Sequence, residues 1–240
     1  MRNLIIKKIY KNKKIQNYTI LEFVGKGRFG KCFYAESNTG YKVILKKFRK
    51  GYLKTNTEKN KYEAVILSKI DDPRVPEFLG IVNHKFFYGF ILKALPGTTV
   101  QDLLFKKNHK FNNEEIYNIG RQLISIIKYL HKIGIVHRDI SISNVLVDEC
   151  KVYLIDFGLA RFADNNKYRY NLDYSYLGDF LLYLQYSSFI TNKKIKELPW
   201  YLELQLTDKQ KKFIKKLLGV DTIYNSIEDI EIDFITAFSH

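Results

Sequence analysis

Apolar and polar positions alternate over residues 18–24 and again over residues 31–36, the two-residue period of strands with one buried face. The glycine-rich stretch at residues 25–30 lies between them and reads as their turn. Asn38-Thr39-Gly40 marks a second turn, followed by a strand over residues 41–48. Residues 57–70 read as a helix stopped by Asp72-Pro73. Two further short strands are expected at 81–82 and 87–92.

Beyond residue 97 the period becomes helical. Thr99, with Asp102 three residues later, opens a helix before Leu103 and Leu104. Asn112 with Glu115 opens a longer one, in which Ile116, Ile119, Leu123, Ile126 and Leu130 line one face. Two more helices are expected over 177–189 and 207–218. There is no internal repeat and no Pro- or Ser-rich linker. The pattern predicts an α+β protein: a small β-rich region, then a larger helical one, joined near residues 93–97.

Composition narrows the class. The chain has 240 residues, 46% hydrophobic and 15% aromatic, which is globular rather than disordered. Cys32 and Cys150 stand in no metal or redox spacing, so a reducing compartment is expected. Residues 1–10 hold only a three-residue apolar run, and the apolar stretch 176–190 is interrupted by Asp179 and Gln185. Neither a secretory signal nor a membrane span is expected, and a cytoplasmic location follows. The net charge of +15 is compatible with a nucleic-acid or anionic membrane partner. However, the chain is rich in Lys, Asn, Ile and Tyr, and only eight of its forty basic residues are Arg. A surface built to grip phosphate recruits Arg for its paired bonds, so compositional bias is favoured over a nucleic-acid partner.

Three features bear on phosphate chemistry. Gly25-Lys26-Gly27-Arg28-Phe29-Gly30 is a glycine-rich loop between strands, where the backbone can approach phosphate oxygens. A strand rather than a helix follows it, which excludes a dinucleotide fingerprint. Lys46 ends the apolar run Val43-Ile44-Leu45 and needs an anionic partner, unless it reaches water as an edge residue. Glu63, beside Val65, Ile66 and Leu67, is the expected carboxylate; Glu58 on the same helix competes, and a surface salt bridge is the bland alternative.

The sharpest signal is His137-Arg138-Asp139-Ile140-Ser141-Ile142-Ser143-Asn144, with Asp156-Phe157-Gly158 beginning twelve residues after Asn144. With the glycine loop, the strand lysine and the helix glutamate in order, the chain resembles the protein kinase family over residues 18–234. The resemblance implies a two-lobed protein-kinase-like fold: N-lobe 18–92, hinge 93–97, C-lobe 98–240, and a basic extension over residues 1–17. It implies ATP and Mg²⁺ as cofactors, Asp139 as catalytic base, and Asn144 and Asp156 as metal ligands. Lys46, held by Glu63, would pair with the nucleotide phosphates above Gly25, Gly27 and Gly30. The backbone of Lys93 and Leu95 would meet the adenine edge, and Val24 and Cys32 would cover the ring. His137 and Phe157 read as packing residues.

The chain also departs from the family. Only fourteen residues separate Gly158 from Asp173, where Asp173-Tyr174-Ser175-Tyr176-Leu177-Gly178 resembles the start of the family's central helix. There is no A-P-E motif, and residues 206–234 lack the Arg near Asn225 that would pair with its glutamate. Losing both partners together avoids an unpaired buried charge. Residues 159–172 contain no Ser or Thr, which leaves only Tyr168 and Tyr170 as hydroxyl acceptors there and deprives Arg138 of the usual loop phosphate. Ser141 stands where Ser/Thr kinases usually carry Lys. A protein Ser/Thr kinase, similar to the small kinases of bacteria and archaea, is the first expectation. A small-molecule kinase and a non-catalytic scaffold are the alternatives.

Overall fold

The computed structural model describes residues 10–27, 30–49, 57–84, 87–164, 166–189 and 198–239, the side chains of residues 57–61 excepted. Arg28, Phe29, Ile190 and the lysine run 193–196 lie outside that set, as does the side chain of Glu58. The chain divides into two compact units, Met1–Leu95 and Pro96–His240.

Among the described residues, the first unit holds a six-stranded antiparallel sheet and the helix that follows its fourth strand. Its strands are β1 (Lys14–Ile15), β2 (Tyr18–Lys26), β3 (Gly30–Ser37), β4 (Lys42–Phe48), β5 (Phe78–His84) and β6 (Phe87–Lys93), with helix α1 (Thr57–Leu67) between β4 and β5. The spatial order is β1-β2-β3-β4-β6-β5. Alternation puts Phe33 and Ala35 opposite Leu45 and Val43 on one face. There they pack with Ile20, Phe23, Val82, Phe87 and Ile91 in one apolar cluster. Burying each such side chain stabilises the fold by roughly 1.5–3 kcal/mol. Residues 14 and 15, expected in a separate extension, pair instead with Thr19 and Tyr18, so that segment begins the sheet.

Two boundaries differ from the periodic expectation. Helix α1 stops at Leu67 rather than at 70, because the chain tightens into turns through Lys69 N–H to Ile66 O and Ile70 N–H to Leu67 O. Strand β5 runs over seven residues where the pattern marked two. An irregularity between Phe78 and Gly80, whose φ is +146°, breaks the alternation that would have revealed it.

The second unit is mainly helical, as the α+β reading requires. Its helices are α2 (Val100–Phe105), α3 (Asn113–Lys132), α4 (Asn171–Tyr186), α5 (Trp200–Glu203), α6 (Asp208–Leu217) and α7 (Ile227–Phe238). Thr99 caps α2, and Asn112 with Glu115 forms a reciprocal box at the start of α3. Thr207 with Gln210 does the same for α6. The apolar face of α3 is buried along its length. Gly120 in that face lets α7 approach, since a Cβ there would lie 2.3 Å from the Phe234 ring. Helix α4 starts at Asn171, six residues before the expected 177, and ends at Tyr186. Short strands escaped the sequence pattern: β7 (Thr98–Thr99), β8 (Ile135–Val136), β9 (Val145–Asp148), β10 (Lys151–Leu154) and β11 (Arg161–Phe162). They pair as β10-β9-β7 and β11-β8 and hold the loops that carry the polar residues between them. Among the described residues no helix is long and apolar enough to cross a membrane.

Candidate active site

In the first unit, β4 delivers Lys46 to the face opposite Leu45, and α1 delivers Glu63. Lys46 Nζ lies 2.6 Å from Glu63 Oε1, and both residues are buried, with 4% and 2% exposure. The carboxylate the lysine needs is therefore Glu63. Cys32 is the cross-strand neighbour of Lys46. Val24 falls out of the β2–β3 register at an irregularity between Phe23 and Gly25 and stands exposed.

The three glycines of the loop differ in environment. A Cβ on Gly25 or Gly27 would meet nothing within 4 Å. A Cβ on Gly30 would strike the Lys47 carbonyl at 2.0 Å, so strand contact alone requires glycine there. Gly27 N–H donates to Gly30 O at 3.0 Å and closes the hairpin. At the end of β6, Lys93 N–H donates to Glu77 O at 2.9 Å. Among the described residues the backbone of Leu95 makes no hydrogen bond.

In the second unit, one buried carboxylate organises the segment that carries Asp139. Asp173, in the first turn of α4, is fully buried. Its Oδ2 accepts from His137 N–H at 2.9 Å and its Oδ1 from Arg138 N–H at 2.7 Å. His131 Nε2, at the end of α3, lies 2.9 Å from Oδ2. These bonds hold Arg138 at φ +67°, a backbone conformation that side chains rarely adopt. The turn that follows presents Asp139, whose Oδ2 accepts from Asn144 Nδ2 at 2.9 Å. The same amide donates to the Asp139 carbonyl, so Asn144 fixes both backbone and side chain.

His137 is a packing residue here. It is fully buried, stands edge-on to Phe157 at 4.6 Å, and accepts Asp139 N–H on Nδ1 at 3.3 Å. Burial is the largest influence on its imidazole and holds its pKa below the ordinary 6.5, against the pull of Asp173. The neutral ring is the form the site is built around.

Asp156 also adopts a left-handed backbone, with φ +64°, and its Oδ1 accepts from Gly158 N–H. Ile155 N–H donates to the Asn144 carbonyl at 2.9 Å, which ties the two polar loops together. Asn144 gives both amide hydrogens to Asp139, so its Oδ1 is the atom it has for a cation. Among the described residues no group of three or more His, Cys, Asp or Glu side chains forms a metal cage. Two oxygen donors on linked loops suit Mg²⁺, which keeps its waters and takes phosphate oxygens.

The segment after Asp156 is ordered by its own contacts. Asp164 accepts from Tyr168 N–H at 2.7 Å and from Asn166 N–H at 3.0 Å, and these bonds hold its carboxyl below the ordinary range. The Tyr168 ring lies under the Arg138 guanidinium. The Tyr170 ring lies 4.4 Å from His131. Sequence reasoning passed over His131 and Asp164. A histidine in the last turn of a helix and an aspartate in a polar loop carry no distinguishing pattern; only the fold brings them to Asp173 and Tyr168.

Comparison with known proteins identifies the family. The family model for the protein kinase domain matches residues 18–188. The chain belongs to the protein kinase family. It is 31% identical to the probable serine/threonine-protein kinase YbdM of Bacillus subtilis (strain 168), over 97% of this chain and 94% of that protein. It is 33% identical to the hormonally up-regulated neu tumor-associated kinase of Mus musculus, over 63% of this chain and 22% of that protein. A third relative, the probable serine/threonine-protein kinase KIN1 homolog of Enterocytozoon bieneusi (strain H348), is 30% identical over 64% of this chain and 26% of its own length. The kinase thus spans nearly all of its bacterial relative and about a quarter of the other two. It is a phosphotransferase of a family that binds ATP.

Proposed function

We propose that this kinase transfers the γ-phosphoryl group of ATP to serine or threonine hydroxyls of proteins, with Asp139 as the base. The observation that carries the reading is the Asp139 carboxylate, held by Asn144 on a turn whose backbone is tied to buried Asp173. A carboxylate so fixed orients the acceptor hydroxyl and takes its proton as the oxygen attacks phosphorus. Lys46, set by Glu63, pairs with the α- and β-phosphates. Gly25 and Gly27, with open space above their backbone, admit the phosphates, while Gly30 serves the strand contact. Val24 and Cys32 cover the adenine, and the Lys93 carbonyl and the Leu95 backbone meet its edge. Asn144 Oδ1 and the Asp156 carboxylate hold Mg²⁺. The ion, when bound, neutralises charge on the phosphates.

The bacterial relative matched along nearly its whole length carries a serine/threonine-protein kinase name, and this supports the acceptor assignment. The short span between Gly158 and Asp173 favours a second reading, a small-molecule hydroxyl as acceptor. Transfer from Mg²⁺·ATP to a generic basic protein separates the two. Protein labelling that disappears in Asp156→Ala, and falls roughly 10²–10⁴-fold in Asp139→Asn, supports the first. ATP binding without protein labelling, together with transfer to a sugar or alcohol, supports the second. Normal turnover in Asp139→Asn defeats the assignment of the base.

A further inference from the structure

We propose that Tyr10, Lys13, Lys31 and Lys47 form a second anion site, on the face of the sheet opposite Lys46, that takes a phosphate-type oxyanion. Lys46 and Lys47 are successive residues of β4, so their side chains leave the sheet on opposite sides. Lys47 is directly opposite Lys31 in the β3–β4 register. Like charges in that position are destabilising. Lys13 adds a third charge from the segment before β1. The three ammoniums lie 5.1, 5.5 and 5.6 Å from the centre of one ring, that of Tyr10. No described carboxylate forms an ion pair with any of them.

The ring is a built element of the fold. It packs 4.7 Å from buried Phe33, and its hydroxyl accepts from Lys47 Nζ at 2.9 Å. The phenol proton is thereby left to donate outward. Burial raises the phenol pKa, but the Lys47 bond and the three ammonium charges outweigh it and hold the group below its ordinary 10.0. Cation–π contact with the ring leaves the three charges themselves uncompensated. Three converging ammoniums and a phenol donor match a multiply charged oxyanion, either a soluble phosphate or the headgroup of a phosphomonoester lipid.

Calorimetric titration with inorganic pyrophosphate, without divalent cation, tests the site. The parent protein should bind. The bulk-charge control Lys209→Gln/Lys211→Gln should bind equally well. Lys31→Gln/Lys47→Gln should weaken binding by roughly ten- to a hundred-fold. The unliganded double variant should melt no lower than the parent, because a repulsion has been removed. Lys13→Gln, an exposed position, repeats the test without touching the sheet and should weaken binding several-fold. Vesicles of phosphatidic acid distinguish the sources: sedimentation that depends on Lys31 and Lys47 identifies a headgroup, and its absence a soluble ligand. No binding by the parent, unchanged binding in Lys31→Gln/Lys47→Gln, or equal loss in both double variants overturns the proposal.

Discussion

The guanidinium carbon of Arg138 lies 4.6 Å from the centre of the Tyr168 ring, while its Nη1 donates to the Leu159 carbonyl at 3.0 Å. The residue next to Asp139 thus grips the following segment at two points. Residues 159–172 have no Ser or Thr to phosphorylate, and an aromatic face meets the arginine instead. Tyr168→Ala should lower turnover roughly five- to thirty-fold, the worth of about 1–2 kcal/mol. Tyr168→Phe keeps the ring and should stay near the parent value. Steady-state kinetics on protein shown by mass spectrometry to carry no phosphate decides it; equal loss in both variants would assign the role to the hydroxyl.

The Lys46–Glu63 pair is buried and close, so removing either partner should destabilise by roughly 3–5 kcal/mol. Lys46→Met/Glu63→Met should recover much of that loss in stability and none of the activity. Urea unfolding of the four proteins gives the coupling; strictly additive losses would show that the contact contributes no pairwise energy.

Asp173 satisfies two backbone N–H groups and faces His131, all away from water. Asp173→Asn replaces one acceptor with a donor that must face another donor. A loss of roughly 2–4 kcal/mol and a fall in turnover are expected together. Unchanged stability in chemical denaturation would mean that the loop finds other acceptors.

His137 gives a pH dependence. Its folded pKa lies below the unfolded 6.5, so the unfolded chain binds the proton more readily. Stability is fully present above about pH 6.5 and declines as pH falls below it. His137→Phe should flatten that part of the stability–pH curve, measured by thermal unfolding between pH 5 and pH 8. An unchanged slope would assign the proton to another group.

Much of this was legible in the chain. The glycine loop, His137-Arg138-Asp139, Asn144 and Asp156-Phe157-Gly158 stand in short contiguous runs, and Lys46 ends an apolar one, so all of them can be picked out along the chain. The caps at Asn112 and Thr99 and the apolar face of α3 are also local, so periodicity and side-chain chemistry announce them. The sequence named Glu63 as the partner of Lys46 but left Glu58 open, since helical spacing alone does not say which turn faces a strand; the sheet's placement of Lys46 decided it. Asp173 was visible only as the start of a helix. Its work on His131, His137 and Arg138 joins residues up to forty-two positions apart. The same holds for the two-residue strands, whose pairing rather than propensity makes them strands, and for Tyr168 beneath Arg138. What a few neighbouring residues determine can be read along the chain; what depends on which distant surfaces meet is decided by packing.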